Sequence, residues 1–210
     1  MQVAARMLRL GSESAFEVLA RAKALEAEGK TIINLGIGQP DFPTPPHVVE
    51  AAIKALRDGH HGYTPANGIL PLREAVCAEI HRRYRQTVSP ERIVIVPGGK
   101  VTMATAIMMF GEPGTEIMYP DPGFPIYESL VHFTGAKLAG YPLLEKDRFA
   151  FRAGDLLARI TPQTRLLIIN SPANPTGGVA PAAEVKKLVE GLQNFPHVTV
   201  LADEIYSRLV

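Results

Sequence analysis

The run LADEIYSRLV (201–210) sets a carboxylate, Asp203, and a phenol, Tyr206, three residues apart directly after the apolar stretch VTVLA. A carboxylate that ends a buried strand must be paired, hydrogen-bonded or exposed at the sheet edge. Two readings stand. Asp203 is either a solvated strand-end residue or the partner of a ring nitrogen, whose protonated form a neighbouring anion favours. Tyr206 is close enough in sequence to meet the same ligand.

Three other loops carry similar chemistry. NSPANPTGG (170–178) fixes its backbone with two prolines and two glycines and supplies amides from Asn170 and Asn174. The plain alternative is a rigid connection with capping asparagines. PGGK (97–100) leads from an apolar run into a helix, where free N–H groups bind phosphate and glycine lets the backbone approach. It is not a Walker loop, because Val94 and Val101 stand where Gly and Ser or Thr are required. GIGQPD (36–41) fails the dinucleotide fingerprint at Asp41. DPGF (121–124) puts Phe124 beyond a strand, either stacked on a flat ligand or as the first core residue of the next helix. The six histidines show no metal spacing, so no metal site is expected. Cys77 reads as structural, and Arg82, Arg83 and Arg85 as a solvated helix face.

The elements that must carry these loops follow from periodicity. Helices are expected over 14–28, with Ser14 and Glu17 as a capping box and Phe16, Leu19 and Ala20 on one face, and then over 46–58 and 71–86. From residue 92 strands alternate with helices: strands at 92–96, 115–119, 136–143, 165–170 and 198–203, helices at 101–110, 124–133, 155–160 and 181–193. Continuous apolar strands between helices predict an α/β fold with a mostly parallel sheet covered by helices on both faces, preceded by an N-terminal helical segment. Ligands of such sheets sit outside the carboxyl ends of the strands. PGGK, PDPGF, NSPANPTGG and DEIY all follow strands and converge on that edge.

The bulk numbers narrow the class. The chain has 210 residues, 46% hydrophobic and 20% charged, which is ordinary for a globular protein. A net charge of +1 argues against nucleic acid or a membrane surface as partner. One cysteine excludes an internal disulfide framework. With no signal-like N-terminus and no membrane-length apolar run, a cytoplasmic protein is expected.

Taken in order, GIGQPDFPTP, YTPANGILPLREA, GGK, PDPGFPIY, NSPANPTGG and DEIYS resemble the class I/II, fold-type I pyridoxal-phosphate (PLP) aminotransferases, in the manner of aspartate aminotransferases. The resemblance runs from about residue 12 to the end. It implies that residues 1–45 belong to the N-terminal part of a small domain with an active-site strand, and 46–210 to part of the PLP-binding large domain. It further implies that Asp203 pairs with the pyridine nitrogen and that Tyr206 and Asn174 bond the ring's phenolic oxygen. Phe124 would stack on the ring, and the backbone of Gly99 and Lys100 would hold the phosphate. Gly38 and Asn174 would lie near the substrate carboxylate. Tyr63 would reach the phosphate in the partner subunit of a homodimer. A cis peptide before Pro175 is implied as well.

The expected activity is PLP-dependent transfer of an amino group between an amino acid and a 2-oxo acid. In the family the Schiff-base lysine and a carboxylate-gripping arginine lie beyond the DEIY motif, at positions this sequence does not contain; Lys100, at the phosphate turn, does not match the catalytic position. The chain is therefore expected to be a truncated, incomplete form, inactive by itself. The alternatives are β-lyase-like PLP chemistry, and a non-catalytic product or one half of a split enzyme. If further strands are absent, RIVIV (92–96) is expected to lack neighbours and expose apolar surface.

Overall fold

A computed structural model describes residues 2–11, 14–36, 38 and 40–209. The chain divides into two compact units, one of Met1–Glu13 with Gly98–Val210 and one of Ser14–Pro97.

The first unit is built on four strands, β1 (Glu116–Asp121), β2 (Lys137–Pro142), β3 (Thr164–Asn170) and β4 (Thr199–Asp203), all parallel in the order β2-β1-β3-β4. The direction of strand addition reverses between β1 and β3, and such a switch point opens a crevice at the carboxyl ends. Successive side chains alternate between faces. Ile117, Leu166 and Ile168 pack with Met103 and Ile107 of α4 (Gly99–Phe110) and Tyr127 and Val131 of α5 (Pro125–Thr134). Met118 and Leu167 face the opposite way, against Leu156 of α6 (Ala153–Leu157) and Leu188 of α7 (Ala182–Leu192). Each fully buried aliphatic side chain contributes about 1.5–3 kcal/mol. The expected sheet with helices on both faces is present.

Long-range caps set two helix ends. Arg9, at the end of a 3-10 helix over Ala5–Arg9, donates Nε to His132 O at 2.8 Å and Nη2 to Phe133 O at 2.9 Å, satisfying carbonyls of the last turn of α5. The helix expected at 155–160 begins earlier, at Ala153. The reason is tertiary: Glu184 Oε2, from α7, accepts from Ala153 N at 2.8 Å and caps that end.

The second unit carries α1 (Ser14–Ala27), α2 (Pro46–Arg57) and α3 (Leu70–Tyr84). The side chain of Ser14 lies outside the described residues, so the capping box is not described. On α1 Ala22 is buried and Ala15, Leu19 and Leu25 are half-buried, whereas Phe16 and Ala20, expected on one face with Leu19, are exposed.

The strand expected at 92–96 is not formed. Pro90–Arg92 make a 3-10 turn capped by Ser89 Oγ, and 93–96 have no sheet partner among the described residues. Ile93 is extended (φ −102°, ψ 127°) and Ile95 N donates to Asn67 O at 3.1 Å, while Val94 is 61% exposed. β-Branched residues favour an extended backbone, but a strand exists only with a neighbouring ladder.

Candidate functional site

The carboxyl ends of β3 and β4 and the N-termini of α4 and α5 line a cavity of about 330 Å³. That lies within the usual range for a small-ligand pocket. Gly99, Lys100, Phe124, Asn174, Asp203 and Tyr206, singled out by sequence, all line it. Leu201, Met103 and Ile205 make much of its apolar wall.

Asp203 is the last residue of β4, and its register partner is Asn170, the last residue of β3. Tyr127 O–H donates to Asp203 Oδ2 at 2.5 Å, and Ile205 N donates to Oδ1 at 3.3 Å. Asp203 is therefore neither a solvated strand end nor an unpaired charge: both carboxylate oxygens are held, and the group lines the cavity. Tyr127 is fully buried. Burial first, then the hydrogen bond to Asp203 and its charge, push the phenol far above its usual range, so it remains protonated and donating.

Asn170 is buried and uses both ends of its amide. Nδ2 donates to Asp203 O at 3.0 Å, and Oδ1 accepts from Asn174 N at 2.6 Å. Asn174 Nδ2 in turn donates to Tyr206 Oη at 3.3 Å. Because Tyr206 accepts there, that hydrogen bond leaves its own proton for another acceptor. The 170–178 loop closes on itself through Ala173 N to Gly178 O at 2.9 Å and Gly177 N to Ala173 O at 2.7 Å. A Cβ at Gly178 would stand 2.3 Å from Phe149 O, so only glycine fits that crossing. Asn174–Pro175 is cis, as are Asp121–Pro122 and Ser171–Pro172.

At the mouth of α4, Gly98 has φ +90°, a conformation suited to glycine, and α4 begins at Gly99. The first N–H groups of a helix have no intrahelical acceptor and favour anions. Lys100 Nζ lies 5.9 Å from the centroid of the Phe124 ring. Phe124 packs edge-on against Tyr127, 5.9 Å between centroids at 88°, so it both lines the cavity and packs against the core.

Gly38 and Tyr63 belong to the other unit. Both are exposed, Tyr63 fully so. Among the described residues no cluster of His, Cys, Asp and Glu could hold a metal ion, and no helix is long and apolar enough to cross a membrane.

The donor set fits a flat, phosphorylated heteroaromatic group. A carboxylate faces the cavity where a protonated ring nitrogen would need an acceptor. An amide–phenol pair supplies donors for an anionic ring oxygen, an aromatic ring offers a stacking face, and a helix N-terminus suits a phosphate. Sequence reasoning did not single out Tyr127 and assigned Asn170 only as an amide donor. The available signal was a phenol three residues after Phe124, four positions before Val131 on the same helix face, since a buried tyrosine hydroxyl needs a partner.

The family model for aminotransferase class I and II matches residues 30–210. An aspartate aminotransferase of Rhizobium meliloti (strain 1021) is 35% identical over 209 residues, 100% of this chain and 51% of the relative. A probable aspartate/prephenate aminotransferase of Rhizobium leguminosarum bv. phaseoli is 36% identical over 201 residues, 96% of this chain and 50% of the relative. Among solved structures, alanine aminotransferase from Pyrococcus furiosus superposes with a TM-score of 0.92 at 28% identity, covering 99% of this chain and 53% of that one. The chain thus spans about half the length of the relatives it matches.

Proposed function

Since the chain belongs to the aminotransferase class I and II family, we propose that it forms part of a PLP-dependent enzyme that moves an amino group between an amino acid and a 2-oxo acid. The observation that carries this reading is the cavity itself: Asp203, the Asn174–Tyr206 pair, Phe124 and the start of α4 around one space of ligand size. When bound, PLP supplies an electron sink for chemistry at the substrate α-carbon.

Each residue then has a defined task. Asp203 accepts from the ring nitrogen and keeps the proton there, because an adjacent anion favours the charged form of a base. Tyr206 and Asn174 donate to the phenolic oxygen. Phe124 covers a face of the ring. The N–H groups of Gly99 and Lys100 hold the phosphate, with the helix dipole behind them. Gly38 and Asn174 approach the substrate carboxylate, and Tyr63 reaches the cofactor phosphate of a partner subunit in a homodimer. Residues 1–45 serve the small domain and 46–210 the cofactor domain of the complete, cytoplasmic enzyme.

The test uses the complete gene product. It is loaded with PLP and supplied with aspartate, alanine or prephenate, each with a suitable amino partner or 2-oxo acid. PLP-dependent formation of the new amino acid is the expected result. Ammonia release from a β-substituted amino acid, without transfer, would assign the β-lyase-like chemistry instead. Failure to retain PLP would remove the proposal.

A further inference from the structure

We propose that Tyr127 is a positioning residue for Asp203: from the first turn of α5 its hydroxyl donates to Oδ2 at 2.5 Å and fixes the plane of the carboxylate that faces the cavity. The inference rests on the PLP reading, since the group so positioned is the acceptor for the cofactor's ring nitrogen.

Three observations favour this over a tyrosine that has merely found an acceptor. The carboxylate is held from two sides, Oδ2 by Tyr127 and Oδ1 by Ile205 N, so rotation about its terminal torsion would break a hydrogen bond. The donor is rigid: its ring is fully buried and sits edge-on to Phe124, which itself lines the cavity. The choice of acceptor is also specific. Tyr141, the other fully buried tyrosine, bonds the backbone carbonyl of Ile168 at 2.8 Å, which satisfies a phenol equally well without a charged group. Tyr127 instead spends its proton on the one carboxylate that the PLP reading assigns to the ring nitrogen. Hydrogen bonds to charged groups are stronger than neutral ones and fix geometry more tightly.

The experiment compares four forms of the complete gene product, wild type, Tyr127→Phe, Asp203→Asn and the double variant, each titrated with PLP carrying ¹⁵N in its ring. Tyr127→Phe removes one oxygen and keeps the packing. It is expected to melt cooperatively, to bind PLP about ten-fold more weakly, and to shift the ring ¹⁵N resonance toward the unprotonated position. Both differences should vanish in the Asp203→Asn background, because the hydroxyl acts through the carboxylate. A wild-type resonance and affinity in Tyr127→Phe would overturn the inference. So would an equal loss in both backgrounds, or loss of cooperative melting, each of which marks a structural role only. If wild type and Asp203→Asn bind PLP equally, or neither binds it, the PLP reading fails first, and this inference with it.

Discussion

Asn170 and Asp203, register partners at the ends of β3 and β4, are joined a second time by the Asn170 side chain, whose Nδ2 donates to Asp203 O at 3.0 Å. The same side chain accepts from Asn174 N at 2.6 Å. One buried amide thereby fixes the carboxylate-bearing strand end against the loop that carries the other polar residues of the cavity.

Replacing Asn170 by Ala takes the acceptor from Asn174 N and leaves Asp203 O with the longer hydrogen bond from Ser171 N at 3.4 Å, and is expected to lower stability by about 1–3 kcal/mol. It should also weaken PLP binding. Asn174→Ala should instead weaken PLP binding while shifting stability by about 0.5 kcal/mol or less, because among the described residues its side chain hydrogen-bonds Tyr206 alone, at 3.3 Å. Urea unfolding and PLP titration of both variants separate the two roles. Equal stability losses would show that Asn174 is structural as well.

Asp203→Ala in the complete gene product should fold and lose amino-group transfer by on the order of 10²-fold or more, the scale set by removing one preorganised electrostatic partner. Turnover near wild type would take Asp203 out of the mechanism.

Gly178→Ala should destabilise by about 1–3 kcal/mol, since the added methyl would stand 2.3 Å from Phe149 O and force the 170–178 loop to shift. Gly154→Ala is the control. It lies within α6, where an added Cβ meets nothing within 4 Å, and should be neutral or stabilising by up to about 1 kcal/mol. Thermal melts rank the two, and the opposite order would contradict the packing described for Gly178.

Glu116, at the amino end of β1 and away from the cavity, is buried against Lys137 Nζ (2.7 Å), Thr164 Oγ1 (2.8 Å) and Thr161 Oγ1 (3.2 Å). Burial by itself raises its pKa, but the hydrogen bonds from Lys137 and Thr164 and the Lys137 charge outweigh it, leaving the carboxyl below its ordinary 4.5. A depressed native pKa stabilises the fold above the unfolded value, and that contribution is lost as pH falls through the native value. Glu116→Gln should therefore be less stable than wild type near neutrality, and the difference should shrink below about pH 4.5. A difference independent of pH would show that Glu116 acts through shape alone.

The sequence by itself determined the alternation of apolar strands and helices, the parallel class of the sheet, and six residues that line the cavity. These features are local. Apolar runs of strand length, helical periodicity and glycine- and proline-rich turns each depend on neighbours within a few positions. Tertiary structure decided what depends on distant partners. RIVIV (92–96) carries every local sign of a strand, yet 93–96 find no ladder among the described residues. The start of α6 is set by Glu184, thirty-one positions away. The carboxylate of Asp203 is held by Tyr127, seventy-six positions earlier, and its backbone by Asn170. Residue type and spacing announce a group that can do chemistry, but the hydrogen bonds that orient it come from whichever side chains the packed sheet and helices bring within reach.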